Sequence, residues 1–100
     1  MADNHIAEFA QIASLQNSEV STNGGVPYVN IPVVSPYGIV AVPPKGTKAV
    51  VLPTGDTAVC LGAIQQVENL KEGELMLFSS GGASIALKND GRVLINGKEV

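Results

Sequence analysis

Residues 74–96 read ELMLFSSGGASIALKNDGRVLIN, which is three short apolar runs separated by tight turns. Each run has the period-two alternation of a β-strand. The predicted strands are Glu74–Phe78, Ser84–Lys88 and Arg92–Asn96. Turn glycines separate the runs and close the series: Gly81, Gly82, Gly91 and Gly97. The pattern predicts a small antiparallel meander.

One face of every predicted strand in this meander is aliphatic. Its side chains are Leu75, Leu77, Ile85, Leu87, Val93 and Ile95. The opposite face is mixed and could meet solvent, and we expect Lys88 on it to be exposed. A three-stranded sheet of this size is marginal alone in water, so we expect three copies about an axis to bury the aliphatic side chains. The alternative is that the segment extends the sheet of a preceding domain.

Upstream of the meander, β-branched runs alternate with turn residues from Tyr28 onward. The predicted strands are Tyr28–Ser35, Gly38–Val42, Thr47–Leu52 and Thr57–Ile64. Four or five short antiparallel strands within about 40 residues are typical of a small closed barrel of the OB type, because closure removes free sheet edges. An SH3-like barrel fits nearly the same pattern.

The stretch Val20–Pro44 contains no Asp, Glu, Lys or Arg. Its glycines and prolines are typical of a flexible linker. Tyr28, Ile31 and the valines near them, however, make the segment too apolar to be one. An uncharged, proline-containing segment of this kind indicates a contact surface.

The N-terminal segment Asp3–Asn17 is the one predicted helix. Apolar residues recur in it at three- and four-residue steps, at Ile6, Phe9, Ala10 and Ala13. Asp3 or Asn4 could cap its first turn. We expect the apolar face of this helix either to pack on its own domain or to dock on a neighbouring subunit.

These patterns together predict an all-β protein with a short N-terminal helix. The expected parts are a helix or arm at 1–20, an OB-fold collar at 21–70 and a short trimeric, intertwined β-helix at 71–100. One hundred residues make one domain at most, so we expect no additional domain that could be catalytic.

The composition disfavours several classes of function. The net charge is −3 and the basic residues are scattered, so nucleic acid is not expected as a partner. The only cysteine, Cys60, lies in an apolar run and is expected to be a buried hydrophobe. One histidine and one cysteine far apart give no metal-ligand pattern, so we predict no metal and no cofactor. Ser79, Ser80 and Ser84 have no histidine nearby in the sequence, so we do not expect an enzyme.

Two blocks of the sequence carry a family resemblance. The first is Pro36–Gly46, PYGIVAVPPKG, followed by Val50–Pro53. The second comprises Gly73–Ser79, Gly82–Lys88 and Asn89–Gly91. In this order and spacing the two blocks resemble the Mu-like baseplate spike and baseplate assembly protein V family. Members of that family are the central spikes of contractile phage tails and tail-like bacteriocins.

The resemblance implies a homotrimer with an OB collar above an intertwined β-helix, mounted below the tail hub at the centre of the baseplate. Sheath contraction would drive it into the target cell envelope. It also implies that the protein is made in the bacterial cytoplasm and then resides in a virion or phage-tail-like particle, with the hub and other baseplate proteins as partners. Candidate hub contacts are Ile6, Phe9, Tyr28 and Ile31.

The chain departs from that family in two ways. Many members end in a His-x-His motif that binds iron at the tip, whereas this chain has no histidine after His5. A metal-bound tip is therefore not predicted. Many members also have a long β-helix, whereas here only the short meander follows Lys71, so the spike would be short.

A small OB-fold module that binds oligosaccharide or single-stranded nucleic acid is the alternative function. Single-strand binders stack bases on aromatic side chains in a basic groove. The aromatic residues of this chain are not clustered with basic residues in the sequence: Phe9, Tyr28, Tyr37 and Phe78. This favours the structural role.

Overall fold

The computed structural model describes residues 6–16, 19–24 and 26–100. The chain divides into two compact units, unit 1 (residues 1–65) and unit 2 (Gln66–Val100), so the division falls five residues before the predicted start of the spike. The described residues form β-strands and no helix, in agreement with the prediction of an all-β protein. Accordingly, they include no helix that could span a membrane.

Unit 1 contains a five-stranded antiparallel sheet. Its strands are β1 (Glu8–Gln16), β2 (Glu19–Asn23), β3 (Tyr28–Pro32), β4 (Lys48–Pro53) and β5 (Ala58–Ala63). They are ordered β3-β2-β1-β4-β5. The two ends of this order also meet, because Val33 forms a parallel bridge with Cys60 and the Val34 N–H donates to the Cys60 carbonyl at 2.8 Å.

The core of unit 1 comes from the inward side of these strands. Along β4 and β5, Ala49, Val51 and Cys60 are buried while Val50 and Leu52 between them are partly exposed. The full set of buried apolar residues is Ile12, Val20, Ile31, Ala49, Val51, Ala58 and Cys60. The prediction that Cys60 is a buried hydrophobe is confirmed.

The predicted N-terminal helix is wrong. Its described part forms β1, which lies in the middle of the sheet between β2 and β4. In β1 the buried residue is Ile12, which was not on the predicted helix face, whereas Phe9 points outward. Pairing with the adjacent strand β2 and with the distant strand β4 overrides the weak helical periodicity of this short segment. Asp3, Asn4 and Asn17 of the predicted helix lie outside the described residues.

Other strand predictions for unit 1 are partly correct. Strands β3 and β5 lie within the predicted runs and β4 extends one residue beyond its run, to Pro53, but Gly38–Val42 is not a strand. The prolines on either side of that run, Pro36 and Pro43, have no N–H to give to a sheet, which explains why it stays outside. Strand β2 was not predicted.

Unit 2 contains a separate four-stranded antiparallel sheet. Its strands are β6 (Leu75–Phe78), β7 (Ser84–Leu87), β8 (Val93–Ile95) and β9 (Lys98–Glu99), in the order β6-β7-β8-β9. The first three confirm the predicted meander, and β9 adds an unpredicted edge. Among the described residues this sheet shares no strand pairing with the sheet of unit 1, so the alternative that the meander extends that sheet is wrong.

Candidate interaction surfaces

The six aliphatic side chains of the meander form two rows across unit 2. In one row Leu87 of β7 pairs with Leu75 on one side and Val93 on the other. In the other row Ile85 pairs in the same way with Leu77 and Ile95. All six are between 38% and 50% exposed. The register therefore places them side by side as an open apolar face, which we call the aliphatic face.

The opposite side of the unit 2 sheet is more covered than expected. Ala86 is only 4% exposed and lies between its cross-strand partners Met76 and Leu94, which are half-buried. The sequence pattern allowed this mixed side to meet solvent, but at its centre it is covered.

Lys88 also differs from the expectation of an exposed side chain. Its Nζ lies 2.9 Å from Glu74 Oε1, and the side chains of the two residues are only 18% and 4% exposed. The Glu74 carboxylate accepts hydrogen bonds from the backbone N–H groups of Lys71 and Asn89, both at 3.0 Å. Because a carboxylate with several donors is stabilised in its charged form, the pKa of Glu74 is lowered to about 2.

The turns of unit 2 need glycine at specific positions. Gly82, Gly91 and Gly97 have φ angles of 99°, 89° and 80°, in the left-handed region where glycine carries no Cβ penalty. Asn96 before Gly97 also has positive φ, at 52°, the pattern of a tight hairpin turn between β8 and β9. Gly81 has no positive φ, so its turn depends on Gly82 instead.

The candidate hub contacts of unit 1 are not equivalent. Ile6 and Phe9 are 74% and 69% exposed and are available to a partner. Tyr28 is partly buried against the core. Ile31 is 1% exposed, so as a surface contact it is a wrong prediction. It occupies the inward side of β3, where the sheet needs a core residue.

Phe9 has a basic neighbour that the sequence did not reveal. Lys48 Nζ lies 5.9 Å from the centre of the Phe9 ring, because Lys48 pairs with Gln11 on the adjacent strand. A groove of about 230 Å³ adjoins this pair and is lined by Phe9, Ala10, Gln11, Asn23, Gly24 and Lys48. A single aromatic ring with one lysine is far less than the stacked aromatic platform of a single-strand binder.

The described residues do not bring together the ligands of a metal ion. They contain no group of three or more His, Cys, Asp or Glu side chains placed to hold a metal ion. His5, the only histidine, lies outside them. The two ion pairs found among them, Glu74–Lys88 and Asp90–Arg92, join residues within unit 2 and serve its turns.

The comparison with known protein families adds the biological setting. Residues 5–65, and thus nearly all of unit 1, match the family described as Bacteriophage Mu Gp45, N-terminal. Unit 2 lies outside this match. No curated protein matches the chain. The matched segment is more than half of the sequence, and the chain therefore belongs to the bacteriophage Mu Gp45 family, as a structural protein of the phage tail baseplate that associates with other baseplate proteins.

Proposed function

We propose that the protein is the central spike of a contractile tail baseplate, with a structural and not a catalytic role. In this proposal unit 1 is an OB-type collar below the tail hub, and unit 2 trimerises into a short intertwined β-helix that pierces the target envelope. The observation that carries the proposal is the aliphatic face of unit 2, whose six side chains remain open in a single chain.

The strand pairing of unit 1 supports an OB-type collar. Each strand has two neighbours, since β1 joins β2 and β4, β5 joins β4, and the Val33–Cys60 bridge brings β5 to the end of β3. Continued around the sheet, the neighbours run β1-β2-β3-β5-β4 and back to β1. This closed cyclic order supports a barrel of the OB type, in which closure removes free sheet edges.

The energetics of the aliphatic face support self-association. Burial of a Leu, Ile or Val side chain stabilises a protein by roughly 1.5–3 kcal/mol relative to leaving it exposed. Unit 2 leaves six such side chains nearly half open, and its one fully buried apolar residue is Ala86. Three copies with these faces toward a common axis would bury them in two layers, one for each cross-strand row. The family resemblance of the spike segment implies the same three-fold arrangement.

Exposed apolar residues of unit 1 would attach the protein to the tail hub. Ile6 and Phe9 lie near the start of β1 and are open to a partner. We assign them to the contact with the tail hub.

The molar mass in solution tests the proposal. Light scattering coupled to size exclusion should give about three times the 10.3 kDa chain mass. A stable, monodisperse monomer would exclude the spike.

A further inference from the structure

The connection between β3 and β4 carries an exposed apolar loop, residues 34–42, which we call the finger. Its apolar side chains are Val34, Tyr37, Ile39, Val40 and Val42, and all of them are exposed. The segment has no ionisable group except the Tyr37 phenol. An open apolar surface of this extent in a small protein marks a contact site.

The finger is fixed at both ends. At one end the Val34 N–H donates to the Cys60 carbonyl at 2.8 Å. At the other end Pro43 is buried, and the Gly46 N–H donates to the Ile12 carbonyl at 2.7 Å. Anchors of this kind lower the entropy that the loop loses when a partner binds.

The tip of the finger is a tight turn. The Ile39 N–H donates to the Pro36 carbonyl at 3.0 Å, and Gly38 has a φ of 92°, which another residue would adopt only with strain. Tyr37 stands beside this glycine and is fully exposed. The turn therefore presents an aromatic side chain outward.

Unit 1 also has a second apolar surface, on the outward side of β4 and β5. Its members alternate with the core residues of those strands and are Val50, Leu52, Val59 and Leu61. Leu52 and Val59 are direct cross-strand partners. Between Lys48 and Glu68 the only charged residue is Asp56, in the β4–β5 turn. We call this surface the outer face.

We propose that the finger of one copy packs on the outer face of the neighbouring copy in the trimer. The inference rests on the proposed function, because trimerisation of unit 2 would hold the three copies of unit 1 at an effective concentration of roughly millimolar. The residues of the finger and of the outer face carry no charge, and Lys48 at the start of β4, on the same side of the strand, has its Nζ over the Phe9 ring. A contact centred on Leu52 and Val59 would therefore bury no unpaired ion. A finger-to-face contact is head-to-tail, and three such contacts close a ring about a three-fold axis.

Photo-crosslinking of the full-length chain tests this contact. Benzoylphenylalanine replaces Tyr37, whose full exposure makes the change mild, and the same residue replaces the exposed Lys45 as a control in the same loop outside the finger. After irradiation of the trimer, the Tyr37 variant should give a denatured species of twice the 10.3 kDa chain mass, with crosslinked peptides from residues 50–61. The Lys45 variant should give several-fold less of that species.

The remaining outcomes contradict the inference in separable ways. A trimer that gives no crosslink between chains, or crosslinks to any other segment, overturns the finger contact and leaves the spike proposal intact. Equal crosslinking from positions 37 and 45 also overturns it, since the contact would then be non-specific. A monomeric molar mass before irradiation overturns both the trimer and the finger contact.

Discussion

Lys88 and Glu74 form an ion pair between the end of β7 and the start of β6, with Lys88 Nζ 2.9 Å from Glu74 Oε1. The same carboxylate accepts the backbone N–H groups of Asn89 and Lys71. Asn89 in turn donates its side-chain amide to the Glu72 carbonyl at 3.0 Å. These contacts join residues 71–74, just before β6, to Lys88 and Asn89, just after β7. Glu74 therefore holds together the open end of the β6–β7 hairpin.

The stability of unit 2 should therefore depend on pH through Glu74. The Asn89 amide, then the Lys71 amide and the Lys88 ammonium group, lower the pKa of Glu74 from 4.5 to about 2. Since the folded pKa is below the unfolded one, the stabilisation is complete above about pH 4.5 and is lost as the pH falls toward 2. Glu74→Gln should lower the melting temperature at pH 7, and its difference from wild type should shrink near pH 2.

Thermal melts followed by circular dichroism at several pH values and one protein concentration measure this difference. Asp90→Asn is the matched control, because the pKa of Asp90 is also lowered, by the Arg92 backbone amide and then its guanidinium group, but its side chain is 57% exposed. Its effect should be smaller. A Glu74→Gln difference that does not change with pH would contradict the assignment.

The aliphatic face should hold the proposed trimer together. Leu87→Asp would bring three carboxylates into a dry interior, at a cost of several kcal/mol per buried ion before mutual repulsion. Light scattering should show loss of the trimer. The control is Val100→Asp, an equivalent change at a residue of the same unit that lies outside the face and is 81% exposed. It should change stability by less than about 0.5 kcal/mol.

If Leu87→Asp stays trimeric with an unchanged melt, the aliphatic face is not the trimer interface. If both variants dissociate, association depends on the C-terminal edge of the sheet. Lys88→Asp cannot serve as the control, because it would place a second carboxylate against Glu74.

Two residues of strand β1, Phe9 and Ile12, should differ in how much they contribute to the free energy of unfolding. Ile12 is buried in the core, so Ile12→Ala should cost about 2–5 kcal/mol of unfolding free energy. Phe9 points outward, so Phe9→Ala should cost about 0.5 kcal/mol or less, as at other surface positions. Urea denaturation measures both. The reverse order would indicate the helix that the sequence first suggested.

The purified protein should contain no stoichiometric iron or zinc. The motivation is that the sequence has no histidine after His5, and the described residues form no metal-ligand cluster. Elemental analysis of the purified protein checks this expectation. One metal ion per three chains would mean that residues other than a His-x-His motif bind it.

The sequence by itself determined unit 2 well. In a meander with tight turns, each strand pairs with its neighbour in the chain, so alternation and turn glycines are enough to predict both the strands and their faces. Leu75, Leu87 and Val93 were predicted to share a face, and they form one row across the sheet. Strand β9 was not predicted because it has only two residues, too few to show the alternation of a β-strand.

Tertiary structure decided unit 1. Segment 8–16 has a pattern that a helix or a strand could satisfy, and only its pairing with β2 and β4 selects the strand. The same holds for Ile31, which looked like a surface contact until β3 placed it in the core, and for Lys88, whose partner Glu74 lies 14 residues away. The pairing of β1 with β4, the packing of Ile31 in the core and the Glu74–Lys88 pair all join residues that are distant in the chain, and local periodicity carries no information about such contacts.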